Sequence, residues 1–161
     1  MNFIIRKMKK EDIKQVRDVA TKSWHSTYDG IIPHEIQENF LKVAYSDQMM
    51  ERKLHKSFIF VAEVENKIIG FANFTLVNEK RQSELSAIYL YPIYQGKGIG
   101  TELLQKGINE LENIKEIYVD VERENSIGKS FYKAKGFQVI KEYDDKFNGH
   151  IFKTIRMSLT I

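Results

Sequence analysis

Apolar positions along the chain alternate between two periods. Ile13, Val16, Ala20 and Trp24 recur at helical spacing, which predicts an amphipathic helix over Lys10–Ser23. Phe3, Ile4 and Ile5 before it form a short strand, and Tyr28–Pro33 after it reads as a loop. Two shorter helical stretches follow, near His34–Leu41 and Asp47–Leu54. Phe58–Val64 is a strand too apolar to keep a face in water. Glu65-Asn66-Lys67 then makes a tight turn into a second strand, Ile68–Val77, so the pair predicts a hairpin. Glu84–Tyr91 is a further strand, stopped by Pro92. Ile99, Leu103, Leu104, Ile108 and Leu111 mark one face of a long helix, and Ile117, Val119 and Val121 alternate as a strand. Ile127, Phe131 and Ala134 give a short helix with Gly136 as its left-handed cap. Strands over Phe137–Tyr143 and Ile151–Leu159 close the chain.

This order predicts a mixed α/β sheet with helices on both faces. The passage from strand through helix to strand between Glu84 and Val121 calls for a right-handed crossover and parallel strands. No linker, repeat or low-complexity tract interrupts the chain, so its 161 residues read as one domain, 1–161. Composition narrows the chemistry. Hydrophobic residues make up 42% and charged residues 29%, the balance of a soluble globule, and Cys 0 excludes disulfides, thiolate nucleophiles and thiol-based zinc sites. Twenty-five Lys and Arg against 22 Asp and Glu give +3 with the signs interspersed, which argues against a nucleic-acid partner. No apolar run approaches the ~20 residues of a membrane span. Met1–Lys10 has neither a long apolar stretch nor a small-residue cleavage site. A cytoplasmic protein is the expectation.

One stretch stands out: Tyr91-Pro92-Ile93-Tyr94-Gln95-Gly96-Lys97-Gly98-Ile99-Gly100-Thr101. A strand ends, three glycines alternate with other residues, and a helix begins. A helix start presents unpaired N–H groups and a positive dipole end, and glycines let a phosphate approach them closely. The residues point to a phosphate site, with a pyrophosphate the best fit; a glycine turn that only packs helix on strand is the plain alternative. The dinucleotide fingerprint does not fit, because the third glycine comes one residue early. Nor does the nucleoside-triphosphate loop, because Lys97 is followed by Gly98.

Gln95-x-x-Gly98-x-Gly100 instead resembles the Gln/Arg-x-x-Gly-x-Gly/Ala loop of the GCN5-related N-acetyltransferase (GNAT) superfamily, which holds the pyrophosphate of acetyl-coenzyme A. Leu85–Leu90 looks like that family's fourth strand. Asn125, then Phe131-Tyr132, then Gly136-Phe137 look like its second conserved block. Trp24-x(3)-Tyr28-x-Gly30-Ile31-x-Pro33 resembles a bacterial branch of the superfamily, which implies no particular substrate. The resemblance implies a GNAT-like central sheet of six to seven strands flanked by four or more helices, splayed between the fourth and fifth strands. It also implies acetyl-coenzyme A as co-substrate, a primary amine as acceptor, direct transfer in a ternary complex, no metal, and a monomer or homodimer.

Residue by residue, the resemblance implies that Ile88, Tyr89 and Leu90 pair with the pantetheine amides through backbone. Gln95, Gly96, Lys97, Gly98, Ile99, Gly100 and Thr101 form the pyrophosphate loop. Asn125 bonds the pantetheine arm, and Tyr132 protonates the leaving thiolate. A phenol of reference pKa ~10 does this for a thiol of ~8.5 only with help from geometry and hydrogen bonding; a packed aromatic is the plain reading of Tyr132. Glu84, at the start of the fourth strand, is the expected base, with Glu122 as rival. Trp24 and Tyr28, four apart, share one side if their helix continues and offer an aromatic wall for the acceptor, or else belong to the core. Lys129 and Lys133 are candidates for the ribose phosphate or a solvated face. His25, His34, His55 and His150 show no metal-binding spacing. Two alternatives stay open: a longer-chain acyltransferase, and a catalytically silent coenzyme A-binding sensor or interaction module.

Overall fold

The computed structural model describes residues 2–161; Met1, the first residue of the N-terminal segment discussed above, lies outside them. The described residues form seven strands and five α-helices. The strands are β1 (Ile4–Lys7), β2 (Ser57–Val64), β3 (Lys67–Thr75), β4 (Gln82–Leu90), β5 (Glu116–Glu122), β6 (Gln138–Phe147) and β7 (His150–Thr160). The helices are α1 (Ile13–Tyr28), α2 (His34–Ala44), α3 (Asp47–Lys56), α4 (Ile99–Glu110) and α5 (Ser126–Ala134). One sheet takes all seven strands in the order β1-β2-β3-β4-β5-β7-β6. Only β4 and β5 are parallel; every other pair is antiparallel.

Alternation along β2 shows how the sheet is covered. Phe60 and Ala62 pack with Ile99, Leu103 and Leu104 of α4, while Ile59 and Val61 pack with Val16, Val19 and Ala20 of α1. Both faces are dry, as the unbroken apolar run predicts. Arg6 of β1 ties one corner together, bonding Asp12 at 2.7 Å and Glu63 at 3.1 Å.

The splay is a matter of register. β4 pairs with β5 only from Gln82 to Glu84, and beyond Glu84 the two strands part. On its other side β4 carries a bulge: Asn73 pairs with Ala87 and Phe74 with Leu85, leaving Ser86 without a partner. An extra residue bends a strand and raises its twist. Here the bend lies immediately after the last parallel pair, where it steers β4 away from β5.

Several boundaries differ from the sequence reading. The first helix starts at Ile13 after a 3-10 turn over Lys10–Asp12, and it runs on through Tyr28. β6 extends to Phe147, because Asn148 and Gly149, with φ of 50° and 77°, form a two-residue hairpin turn. Its long, wet outer half, rich in Lys, Asp and Glu, hides the alternation that marks a strand. Glu65 and Asn66, at φ of 50° and 66°, make the expected turn, and Gly136 at φ 99° ends α5.

Candidate active site

The strand-to-helix loop folds as its glycines require. Gly96 and Gly98 adopt φ of 75° and 84°, in the left-handed region that other residues avoid. Gly98 is the cap of α4, so the backbone N–H groups after it have no helical partner. A cavity of about 350 Å³ lies against this loop, in the gap between β4 and β5. Gln95, Gly96, Gly98, Gly100 and Thr101 line one end of it, and Ile88, Tyr89 and Leu90 line a side. Two loop residues stay out of it. Ile99 is fully buried in the core, so any part it takes is through backbone, and Lys97 is exposed. The free edge of β4 is not entirely open, since the Ser23 hydroxyl donates to the Leu90 carbonyl at 3.0 Å.

α5 closes the other end. Asn125 caps the helix, its Oδ1 accepting from the Gly128 N–H at 2.9 Å, and it lines the cavity. Tyr132 does too. Its ring packs between Phe131 and Phe137, with centroids 5.6 and 5.4 Å away. Burial, and then Tyr28, push its hydroxyl well above the ordinary phenol value. Lys129 and Lys133 do not reach the lining, whereas Lys135 does, its Nζ 5.7 Å from the Phe131 ring centroid.

A second cavity, about 490 Å³, opens on the other side of the splay. Tyr28, Ser86, Tyr89, Asp120 and Val121 line both, so the two spaces meet at a shared wall. Trp24 and Tyr28 stand on one side of α1 with ring centroids 4.6 Å apart, and Trp24 stacks on Phe40 of α2 at 4.3 Å. The indole N–H donates to the Tyr89 hydroxyl at 3.0 Å. These rings are buried core residues, as one of the two readings has it, and they also line the second cavity. Burial pushes the Tyr28 hydroxyl up to about 12, against the pull of the Asn125 amide beside it.

Glu84 and Glu122 both line the second cavity. They differ in what holds them. The Glu122 carboxylate accepts from the Glu124 N–H and so pins the turn into α5. No donor bonds the Glu84 carboxylate among the described residues. Burial, and next the charge of Asp120, push its carboxyl above the ordinary value, with Arg156 pulling the other way.

Three cavity features escape the sequence reading. Asp120 lines both spaces and is clamped by Arg156 at 2.8 and 2.9 Å and by the Tyr143 hydroxyl at 2.6 Å. Burial works to raise its carboxyl, but these bonds outweigh burial and hold it below the usual carboxylate value. The β6–β7 hairpin adds Asp145, Phe147 and Phe152 to the wall of the second cavity, with Phe147 edge-on to Phe40 at 5.8 Å. The third is Ser86, the bulge residue. The alternation of Val119 and Val121 already turns Asp120 to the opposite face; nothing local marks its partners.

The sequence profile of the acetyltransferase (GNAT) family matches residues 13–137, most of the chain. A spermidine N(1)-acetyltransferase of Thermoplasma acidophilum is 34% identical over 147 residues, 86% of this chain and 90% of that protein. An N-alpha-acetyltransferase of Sulfurisphaera tokodaii is 30% identical over 122 residues, 66% of this chain and 70% of that one. The crystal structure of the PaiA N-acetyltransferase of T. acidophilum, in complex with coenzyme A, aligns at a TM-score of 0.88 and 28% identity, covering all of both chains. With its fold, its glycine loop and these relatives in agreement, the chain belongs to the GNAT acetyltransferase family, as an N-acetyltransferase that takes its acetyl group from acetyl-coenzyme A.

Proposed function

We propose that this enzyme acetylates a polyamine of the spermidine type, by direct transfer in a ternary complex. The observation that carries the reading is the second cavity: its lining combines the aromatic rings of Trp24, Tyr28, Phe40 and Phe147 with the carboxylates of Glu84, Glu122 and Asp145, and among the described residues Lys146 is its only cation. Such a space suits a flexible polycation. Its methylene segments lie on the rings, cation–π attraction contributes ~0.5–2 kcal/mol at each well-placed ammonium, and carboxylates answer the remaining charge. The spermidine N(1)-acetyltransferase relative supports the same class.

In this reading the pyrophosphate sits on the N–H groups of Gly96–Thr101 and the pantetheine runs along Ile88–Leu90, held by Asn125. The thioester then lies at the shared wall. Glu84 takes a proton from the acceptor ammonium. The amine lone pair attacks the carbonyl carbon; the C–N bond forms, the C–S bond breaks, the thiolate receives the Tyr132 proton, and the second proton, shed by the newly acylated nitrogen, passes through water to restore the Tyr132 phenol. Glu84 returns its proton to solvent.

Two results follow from this arrangement. With acetyl-coenzyme A saturating, thiol release should show spermidine ahead of a peptide with a free N-terminal alanine by at least about tenfold in kcat/KM. Its KM should rise with salt as the charged wall is screened. A peptide preference would overturn the polyamine reading, and no release with any amine would leave a coenzyme A-binding module. Glu84→Gln should depress turnover most at low pH. A raised carboxyl pKa means the base form is lost early as pH falls, so the wild-type acid limb lies above the ordinary Glu value of ~4.3. Toward pH ~10 the amine sheds its own proton and the variant should partly recover. A defect independent of pH would indicate packing, and one confined to Glu122→Gln would move the base there.

A further inference from the structure

Where β4 and β5 part, a row of polar side chains shares one face of the sheet. Glu84 is the last β4 residue in register with β5, and its partner is Tyr118. Side chains two apart on a strand point the same way, so Asp120 stands on that face beyond Tyr118. Across β5 the partner of Asp120 is Arg156 of β7. The Arg156 guanidinium lies 4.7 Å from the Tyr118 ring centroid and 5.6 Å from that of Tyr143. It is thus stacked on the residue opposite Glu84.

An arginine so placed has two carboxylates to choose between. It takes Asp120 at two points, Nε donating to Oδ1 at 2.8 Å and Nη2 to Oδ2 at 2.9 Å, and the Tyr143 hydroxyl adds a bond to Oδ2 at 2.6 Å. A two-point guanidinium–carboxylate pair is stronger and more directional than a single contact. Glu84 is left with no donor on its carboxylate among the described residues, while its own N–H is tied to Thr75 Oγ1 of β3 at 2.8 Å. That suits a base. An arginine bonded to Glu84 would favour the ionised form and weaken its hold on a proton. Other charges stand further off. Glu122 follows Asp120 on the same face of β5, and β6 brings Asp145 and Lys146 to the second cavity. Lys141 lies over the Tyr143 ring at 5.2 Å. From α1 and α2, Tyr28 is the only titratable group in that lining.

We propose that Asp120 is a positioning residue for acetyl transfer: by engaging Arg156 it keeps the guanidinium off Glu84 and leaves that carboxylate free to take the acceptor's proton. The proposal rests on Glu84 as the base. Its two neighbours act on Glu84 in opposite senses. Burial is the first influence on the carboxyl; after it, the Asp120 charge favours the protonated form and Arg156 the ionised one. Removing either neighbour unbalances the pair, and the direction tells which one was removed.

The test compares pH profiles of kcat for the full-length enzyme, with acetyl-coenzyme A and spermidine saturating. Asp120→Asn keeps the shape and removes the charge. Arg156 then has Glu84 as its remaining carboxylate, so the acid limb should move down by about 1 pH unit or more. Arg156→Gln leaves Asp120 as an uncompensated like charge, and the limb should move up by about as much. Lost packing would lower activity in both variants without opposite shifts. A second readout needs no acceptor. In ¹³C-glutamate-labelled protein the Glu84 carboxyl carbon, assigned by its loss in Glu84→Gln, should titrate with the same two displacements. Midpoints that move the same way in both folded variants, or stay within about 0.3 units of wild type, would overturn the proposal. Displaced midpoints with an acid limb that survives Glu84→Gln would refute the base reading and with it the catalytic role. A limb lost in Glu84→Gln with unmoved midpoints would keep the base and refute the role of Asp120.

Discussion

Gly98→Glu should abolish coenzyme A binding while leaving the protein folded. Gly98 caps α4 at φ 84°, and a Cβ built there meets nothing within 4 Å. The substitution therefore has room. Its conformational cost is about 1–2 kcal/mol for a left-handed L-residue, which a domain with ~5–15 kcal/mol of stability tolerates. A carboxylate at a helix start even interacts favourably with the dipole. What the variant cannot do is share that dipole with a pyrophosphate. The side chain brings bulk and a negative charge to the face that lines the first cavity, where the unpaired N–H groups of α4 point. Gly98→Ala separates the causes, since it carries the same backbone cost without the charge. By calorimetry, Gly98→Ala should stay within about tenfold of wild type, or ~1.4 kcal/mol, and Gly98→Glu should lose at least a hundredfold. Wild-type affinity in folded Gly98→Glu would place the phosphates elsewhere.

That loop was legible in the sequence because its signal is local: a strand, three glycines and a helix within eleven residues. The hairpin at Glu65-Asn66 and the cap at Gly136 were legible for the same reason. The splay was not. Leu85, Ser86 and Ala87 alternate as in any strand, and only the register against Asn73 and Phe74 shows the extra residue. The resemblance to a family supplied the splay; periodicity could not. Asp120 shows a second limit. Its partners come from β6 and β7, 23 and 36 residues away, and no spacing rule joins a carboxylate to an arginine that only the pairing of β5 with β7 sets opposite it. His25 and His34 show a third. Nine residues apart, they match no helical or metal-ligand interval, and only the turn at Asp29–Pro33 stacks them. The aromatic pair, by contrast, was half-visible: the four-residue interval places Trp24 and Tyr28 together once α1 is known to run through Tyr28. Their burial changes how that wall can be tested. Truncating Tyr28 to alanine would cost ~3–5 kcal/mol as a core deletion and disturb both cavities together.

Tyr132→Phe should lower the rate of acetyl transfer by ~10²–10⁴-fold, the loss typical of a missing general acid. The argument starts from position. The ring is held between Phe131 and Phe137, and no protein group bonds its hydroxyl among the described residues, although no buried side-chain polar atom goes without a partner. The oxygen therefore opens on the cavity it lines, between the loop and the shared wall. Burial and the neighbouring Tyr28 raise its pKa, so it keeps its proton throughout the neutral range. A weaker acid than a free phenol hands over its proton only as charge builds on the sulfur, which is when stabilisation counts toward the rate. Phenylalanine keeps the ring packing, so the unfolding temperature and coenzyme A affinity should stay near wild type while kcat falls. Single-turnover rates with saturating acetyl-coenzyme A and acceptor read the chemical step directly, free of product release. A fall in kcat with unchanged binding would match a group that acts only in the transition state. A folded Tyr132→Phe enzyme with the wild-type single-turnover rate would mean that water, or the Tyr28 hydroxyl across the wall, protonates the thiolate.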